Sequence, residues 1–245
     1  MNKPSLGDRM KSAYEEVWKI RLPLRMPVII RLDGRAFHTL TRKAVKPFDS
    51  DIITMMQKTA QYVCEEIQGA QIAYIQSDEI SILVHNYKKL NSGAWFNNEV
   101  QKMCSISAAL ASSFFTYLLD DVNQKVSHRG YSFFPLAQFD SRVFVLPENE
   151  VCNLFIWRQQ DWTRNSIEML ARSLYSHKEC HKKNNADLQE MCFQKGQNWS
   201  KLPVHCKRGS CVYKNSEGKW CIDDKIPVFS KDRNFIEKYL KVEED

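Results

Sequence analysis

Two hydrophobic periods alternate along the chain, and their order restricts the fold more than any other feature. The apolar run MPVIIRL, which begins at Met26, has the length of a buried strand. Apolar residues then recur every three or four positions, which predicts an amphipathic helix through Ile53, Met56, Ala60, Val63 and Ile67. Ser50 is suited to be the N-cap of this helix, and Gly69 lies just past its end.

The segments that follow continue the alternation. IAYIQSDEISILVH reads as two short strands joined by a turn across Gln76 to Glu79. A second helix is predicted through Val100, Met103, Ser107, Leu110, Phe114 and Leu118, and DSRVFVLP supplies a strand that stops at Pro147. The order strand, helix, strand, strand, helix, strand is that of the ferredoxin-like split βαβ arrangement.

We therefore predict an α+β protein with an antiparallel sheet that carries helices on one face. Residues 1–146 would form this palm-like unit, and residues 147–245 would form a mostly helical region packed on it. With 245 residues, of which 43% are apolar, the chain can bury a substantial core without disulfides.

Charge and cysteine usage suggest the partner and the compartment. A net charge of +6 favours a polyanionic partner, although the excess is modest. The eight cysteines show no framework spacing, the first residues are too polar for a signal peptide, and no apolar run approaches the roughly 18 residues of a membrane helix. We expect free thiols, a cytoplasmic location and no membrane partner.

Two acids are placed to converge although they are distant in sequence. Asp33 ends the first strand and Asp78 lies in the hairpin turn, and these strands are neighbours in the predicted sheet. Two carboxylates brought together repel each other unless hard cations lie between them, and oxygen ligands of this kind suit Mg²⁺. Taken singly, each acid is better explained as a turn residue; their joint position favours a metal site.

The turn after the first strand offers a binding site for phosphate. The backbone N–H groups from Gly34 to His38 enter a turn and would form a nest for anionic oxygens. Arg42, Lys43 and Lys46 would add positive charge, or else form a solvated basic run.

Five ordered motifs carry a family resemblance. RLDGRAFHTLTR, KPFD, YIQSDEISIL, FDSRVFVLP and WRQQDWTRNS resemble the tRNA-His guanylyltransferase family, especially its bacterial and archaeal Thg1-like branch of 3′-to-5′ nucleotide polymerases. The similarity runs from about Lys19 to Gly209.

The resemblance implies a polymerase-like palm with two Mg²⁺ ions, held by Asp33, the Gly34 carbonyl and Asp78, with Glu79 as the adjacent essential acid. It also implies tRNA, GTP and ATP as partners and a homotetramer. The predicted nucleotide-binding residues, taken from the matching motifs and from neighbouring polar positions, are Gly34, Arg35, Ala36, Phe37, His38, Lys46, Asp49, Ser77, Lys102, Arg142 and Asn198. For Arg142, a structural ion pair is an equal alternative.

In the family's reaction, a 5′-monophosphorylated tRNA is first adenylylated, and the 3′-hydroxyl of an incoming nucleotide then attacks the activated end. This chain departs from the family pattern in two places. Members that add guanylate to tRNA-His carry His-x-Asn-Asn where this chain has Thr163 to Ser166, and Asn97 and Asn98 replace a basic pair. These departures favour templated repair of 5′-truncated tRNA over guanylate addition to tRNA-His.

Other functions remain open on the sequence. A nucleotide cyclase on the same palm would need only a triphosphate, and a catalytically silent tRNA-binding module would need no acids. Trp157, Trp162 and Trp199 are suited to stacking on bases or to core packing. Two sets of side chains have both a functional and an ordinary explanation: a zinc site that lacks paired C-x-x-C spacing at His177, Cys180, His181, His205, Cys206 and Cys211, and phosphate contacts or a solvated face at Lys182, Lys183, Lys207 and Arg208.

Overall fold

The computed structural model describes residues 4–89, 91–125 and 136–241, and an antiparallel sheet lies at its centre. The sheet order is β4-β1-β3-β2-β5-β6. Its strands are β1 (Val28–Gly34), β2 (Ala70–Gln76), β3 (Glu79–Val84), β4 (Phe139–Val145), β5 (Ser210–Lys214) and β6 (Trp220–Asp223). The first four strands have the order of the split βαβ arrangement, so the predicted palm-like α+β class is confirmed.

The two long helices of the palm lie on one face of this sheet, as predicted, and helices of the C-terminal region cover the other face. The helices are α1 (Leu6–Met10), α2 (Phe37–Leu40), α3 (Ser50–Glu66), α4 (Val100–Lys125), α5 (Glu148–Leu174), α6 (His177–Cys180), α7 (Asn185–Gln194), α8 (Val204–Arg208) and α9 (Asn234–Glu237). Shorter helical turns are a π-helical turn at Lys11–Glu15 and 3₁₀ turns at Glu16–Trp18, Trp95–Asn98 and Trp199–Lys201.

Alternation along the strands directs two sets of apolar side chains to opposite faces. Val28, Ile30 and Leu32 of β1 pack with α3 and α4 on one face. Ile29 lies on the other face with Val151 and Phe155 of α5. Because Asp33 has the same parity as Ile29, its side chain belongs to the face that α5 covers.

The start of α3 differs from the prediction by one residue. Asp49, and not Ser50, is the N-cap, because its side chain accepts hydrogen bonds from the N–H groups of Asp51 and Ile52. Gly69 lies past the end of the helix as predicted, in a left-handed conformation with φ of 86°.

The stretch Val100–Val122 of α4 is long and apolar enough to cross a membrane by length and composition, with a mean hydropathy of 1.3. The expectation that no such run exists was wrong, because interspersed Ser and Thr residues interrupt the apolar residues while the mean hydropathy stays high. The helix contributes Met103, Ala111 and Phe115 to the core against the sheet, which gives its apolar character a structural reason.

The C-terminal region was predicted to be mostly helical and packed on the palm, but it also contains two strands of the sheet. It contributes β5 and β6, and β5 pairs with β2 from Ile72 opposite Tyr213 to Ile75 opposite Ser210. A single sheet therefore runs through both parts of the chain, and the division near residue 146 stays a prediction.

The close contact between β2 and the chain just before β5 depends on Gly209. Its φ is 78°, and a Cβ there would lie 2.4 Å from the carbonyl oxygen of Ile75. The neighbouring residue, Arg208, accepts a 2.8 Å hydrogen bond on its carbonyl from the Tyr74 hydroxyl, which fixes the same junction. Backbone of β2 and β5 can approach this closely only with glycine at this position.

We expect Gly209→Ala to lower the free energy of unfolding by at least about 2 kcal/mol, because it adds a backbone collision to left-handed strain. Gly218→Ala is the matched control. Gly218 also has a positive φ, 75°, but a Cβ there meets nothing within 4 Å, so the loss should be only about 1 kcal/mol. Urea unfolding of both variants measures the difference, and equal losses would show that the close approach at Gly209 is unimportant.

Candidate active site

Three carboxylates lie side by side across one end of the sheet. Asp33 of β1 is directly opposite Glu79 of β3 on one side and Asp140 of β4 on the other. Directly opposed residues point to the same face, with Cβ atoms about 5 Å apart. The register thus gathers negative charge where β1 ends.

Asp78 joins this group from the adjacent hairpin turn. The two-residue turn between β2 and β3 consists of Ser77, which has a φ of 47°, and Asp78. The carbonyl of Asp78 accepts a 2.9 Å hydrogen bond from the N–H of Gly34. The structure therefore brings together Asp33, Gly34 and Asp78, the three residues predicted to hold metal.

The electrostatics of these acids reflect the crowding. The pKa of Asp33 is raised, first by burial and then by the charges of Glu79 and Asp140, although Arg142 and Arg31 oppose the rise. The pKa of Asp78 is also raised, chiefly by burial, against hydrogen bonds to the carboxylate from Ser77 and the backbone. Negative charge at this end of the sheet is thus incompletely compensated by the protein.

Two arginines form ion pairs with these acids. A terminal nitrogen of Arg142 lies 3.6 Å from Asp33 and 3.5 Å from Asp140, in a half-exposed setting where ion pairs are weak. Glu79 instead forms a buried, two-point ion pair with Arg158 of α5. Sequence reasoning missed Arg158; its only signal was its place in the WRQQD motif.

The loop after β1 offers fewer free N–H groups than predicted. Gly34 donates to Asp78, and Arg35 donates to the Gln138 carbonyl at 2.8 Å. Ala36, in a left-handed conformation, leads into α2, so the N–H groups of Ala36, Phe37 and His38 have no acceptor among the described residues. The predicted nest from Gly34 to His38 is therefore reduced to its last three residues.

Gly34 has a second, structural reason to be glycine. A Cβ there would lie 2.4 Å from the ring of Phe37. That ring packs against Phe115 and Phe139, with centroids 5.2 and 5.0 Å away. Any substitution of Gly34 would disturb this aromatic cluster as well as the loop.

A cleft of about 600 Å³ opens beside the acids. Loop residues after β1 and the start of α3 form one wall, the hairpin turn forms the end, and residues of α5 and α8 form the opposite wall. The predicted site residues that line it are Gly34, Ala36, Phe37, His38, Lys46, Asp49, Ser77 and Asp78. Sequence reasoning did not find the opposite wall, which includes Met169, Arg172, Ser173 and His205, and it left Trp162 undecided between core and base stacking.

Two residues on the cleft are also engaged in local structure. Asp49 accepts from the Val45 N–H at 2.8 Å in addition to capping α3. Lys46 Nζ donates to the Thr41 carbonyl at 3.3 Å. Both hold the shape of the loop that forms the first wall.

Four predicted nucleotide-binding residues lie outside the lining of the cleft. Of these, Arg142 lies beside Asp33, and the other three are engaged elsewhere. Arg35 binds the side chain of Gln138 at 2.6 Å. Asn198 caps the 3₁₀ turn at Trp199–Lys201 by accepting from the Ser200 N–H. Ser112 of α4 accepts a hydrogen bond from the Phe139 N–H, beside the acids. Lys102 lies about 15 Å from Ser112 along the same helix and is therefore far from the acids. Among the described residues, Arg35, Asn198 and Lys102 make no hydrogen bond or ion pair with the acids.

Metal binding here would need ligands beyond the side chains. In the described part of the chain, no three His, Cys, Asp or Glu side chains converge on one point as a metal site, and this holds for the histidines and cysteines between His177 and Cys211. Two carboxylates and a backbone carbonyl fit Mg²⁺ nevertheless, because it usually keeps several waters and takes substrate phosphates as further ligands.

A palm with paired acids beside a nucleotide-sized cleft defines a class, the nucleotidyl-transferring enzymes. The family model described as "Thg1: tRNAHis guanylyltransferase" matches residues 7–147, more than half of the chain. The chain belongs to the tRNAHis guanylyltransferase family.

Known relatives agree with this assignment. A bacterial Thg1-like protein solved with ATP superimposes with a TM-score of 0.89 at 44% identity, covering 97% of this chain and all of that one. Its complex with GTP matches with a TM-score of 0.80 at 40% identity and the same coverage. A human protein described as a probable tRNA(His) guanylyltransferase is 36% identical over 147 residues, 57% of this chain. The chain spans 45% of the length of this relative and of its bovine and mouse counterparts.

The raised pKa of Asp78 can be tested by measuring thermal stability, with no assay of activity. A carboxyl whose folded-state pKa is raised contributes stability that is lost as pH rises through that pKa, so its charge destabilises the protein at neutral pH. We expect Asp78→Asn to raise Tm at pH 7 without metal, and to abolish the rise in Tm that Mg²⁺ gives the unmodified protein.

Differential scanning fluorimetry with and without Mg²⁺ measures both effects. Asp232→Asn, at an exposed position outside the site, should change neither. An undiminished response to Mg²⁺ in Asp78→Asn would place the metal elsewhere.

Proposed function

We propose that this chain is a metal-dependent 3′-to-5′ nucleotidyltransferase that adds nucleotides to the 5′ end of tRNA. The observation that carries the proposal is the hydrogen bond between Gly34 and the Asp78 carbonyl, which joins the two acids at the end of a cleft of nucleotide size. The relative with 44% identity was solved with ATP, and the same protein type with GTP, which supports a triphosphate as the occupant.

Nucleotidyl transfer in this family needs a divalent metal. We propose two Mg²⁺ ions, with Asp33, Asp78 and the Gly34 carbonyl as their protein ligands. Bound there, the ions would lower the pKa of an attacking hydroxyl and stabilise negative charge on the leaving pyrophosphate. The raised pKa values of both carboxyls support a site that gains from added positive charge.

The protein's own groups bind and orient the triphosphate. The free N–H groups of Ala36, Phe37 and His38 would donate to the phosphates, and Lys46 lines the same wall of the cleft. Apolar side chains further along the wall, Pro47, Phe48 and Ile52, suit the face of a base. This division puts the charged end of the nucleotide near Asp33 and Asp78.

The chemistry proceeds in two transfers when the tRNA carries a 5′-monophosphate. The 5′-phosphate attacks the α-phosphorus of ATP and releases pyrophosphate, which leaves an adenylylated end. The 3′-hydroxyl of the incoming nucleotide then attacks the 5′-phosphorus, losing its proton and releasing AMP. A 5′-triphosphate end needs only the second transfer, with pyrophosphate as the leaving group.

The internal bonding of the segment from Thr163 to Ser166 supports templated repair as the preferred reaction. Thr163 donates to the carbonyls of Gln159 and Lys207. Arg164 and Asn165 bind Asp161, and Ser166 accepts from the Trp199 indole. Apart from Arg164, which is exposed and paired with Asp161, these side chains are bonded within the fold, so recognition of a particular tRNA by this segment is disfavoured.

Positive charge is concentrated where the tRNA would be held. Residues 164–208 contain nine Lys and Arg against four Asp and Glu, so they account for most of the net charge of +6. Arg172 lines both the main cleft and a smaller one of about 150 Å³ that also exposes His181, Lys182 and Lys183. This basic face adjoins the site and suits phosphate contacts.

Following the resemblance, we also propose a homotetramer. The segment from Leu6 to Trp18 contains no buried residue. Leu6, Tyr14 and Trp18 are more than half exposed, and contact between copies would cover this apolar surface.

We expect the enzyme to restore a missing 5′ nucleotide opposite a templating base in preference to extending intact tRNA-His. Pairing orients the nucleotide before it attacks, which replaces positioning by protein contacts. The kcat/KM ratio should favour the truncated substrate by more than about tenfold, which corresponds to about 1.4 kcal/mol of transition-state stabilisation.

The assay follows label from α-labelled nucleotides into full-length and truncated tRNA-His transcripts with monophosphate or triphosphate ends. Changing the templating base should change the nucleotide added. Addition of guanylate alone, irrespective of template and with preference for the intact tRNA, would contradict the repair assignment.

We expect tRNA affinity to fall steeply with salt, because Lys and Arg contacts release counterions from phosphates. The double change Lys182→Glu and Lys183→Glu should weaken tRNA binding and make its salt dependence shallower, while nucleotide binding is retained. The control is Lys214→Glu with Lys219→Glu, at exposed positions in the hairpin of β5 and β6. Filter binding over a salt series would exclude RNA contact at Lys182 and Lys183 if both double variants behave alike.

A further inference from the structure

The carboxylate of Glu79 is fully engaged inside the protein. Its Oε1 accepts from Nε of Arg158 at 2.8 Å, and its Oε2 accepts from a terminal nitrogen of the same guanidinium at 2.7 Å. Oε1 also accepts from Gln76 at 3.3 Å and from Ser81 at 3.2 Å. Both oxygens are therefore satisfied without a metal, and each side chain is only 10% exposed.

Arg158 is held as firmly as its partner. The nitrogen that binds Glu79 also donates to Asp161 at 3.1 Å, and the guanidinium lies 4.5 Å from the centre of the Trp157 ring. The planar fork of arginine matches a carboxylate at two points, which a lysine cannot do. Two buried charges are costly to separate, because the one that stays behind is left without a partner.

The pair connects two walls of the active site that are distant in sequence. Glu79 directly follows Asp78 in the hairpin. Arg158 precedes Trp162 by one helical turn on α5, and Trp162 lines the cleft. In the described part of the chain, no other ion pair joins the hairpin to α5.

We propose that Arg158 is a positioning residue for nucleotidyl transfer: through Glu79 it fixes the hairpin that carries Asp78, and Glu79 itself binds neither metal nor nucleotide. The inference deepens the proposed function and rests on it. The loop that contacts the nucleotide is held separately by Asp49 and by the aromatic cluster around Phe37. Loss of Arg158 should consequently affect kcat far more than the KM for the nucleotide.

The test uses Arg158→Met, Glu79→Gln, the double variant and Arg158→Lys in the transfer assay. Arg158→Met should lower kcat by at least about 30-fold with KM for GTP within about threefold, because an unpaired buried carboxylate is left beside Asp78. Adding Glu79→Gln should recover at least about tenfold of the lost kcat, because it removes that charge. Arg158→Lys should fall between the unmodified protein and Arg158→Met.

Arg233→Met is the matched control, because it removes an exposed ion pair with Glu237 on α9. It should leave kcat and KM unchanged. If Arg158→Met does not fold, the double variant decides: it should fold, with a kcat above one tenth of the unmodified value.

Two results would overturn the proposal. One is a double variant no better than Arg158→Met in either kcat or Tm. The other is a Glu79→Gln variant that loses transfer completely while its requirement for Mg²⁺ rises, which would make Glu79 a ligand. Failure of the proposed function would give a different result. The unmodified protein would then transfer no nucleotide to any tRNA, while the double variant would still have a higher Tm than Arg158→Met.

Discussion

Repulsion among carboxylates at one end of the sheet is the constraint on which the active site depends. The register places Asp33 between Glu79 and Asp140, and the hairpin adds Asp78. Two arginines form ion pairs with these acids, and the two pairs differ. Arg158 makes a buried two-point ion pair, whereas Arg142 is half exposed and shared between two acids. A weakly held arginine at Asp33 is one that a divalent cation can replace at small cost.

The C-terminal region is an integral part of the site and of the sheet. Arg158 and Trp162 reach the palm from α5, and β5 extends the palm's sheet beside β2. The cleft lies between these parts, with the loop after β1 on one side and α5 on the other. The palm therefore supplies the acids, and the C-terminal region lines the cleft and pairs with the hairpin through Arg158 and Glu79.

Local sequence predicted the palm well because its elements have strong periods and clear ends. The strand ending at Asp33, the helix before Gly69 and the hairpin from Gln76 to Glu79 are all present. Pairing over long separations was not predictable: SCVYK is a short apolar run, and nothing in it indicates β2 as its partner. The bond from Arg158 to Glu79 joins residues 79 positions apart, so no spacing rule reveals it. Lys102 and Asn198 were predicted from the family resemblance. Among the described residues, they make no hydrogen bond or ion pair with the acids.

The most direct measurement of the central claim is anomalous diffraction from crystals grown with Mn²⁺ and a non-hydrolysable GTP analogue. Mn²⁺ accepts the same oxygen ligands as Mg²⁺ and can be located by its own signal. We expect anomalous peaks within about 2.3 Å of carboxylate oxygens from both Asp33 and Asp78, with Arg142 displaced from Asp33. An ordered nucleotide in the cleft without a peak at these two residues would contradict this expectation.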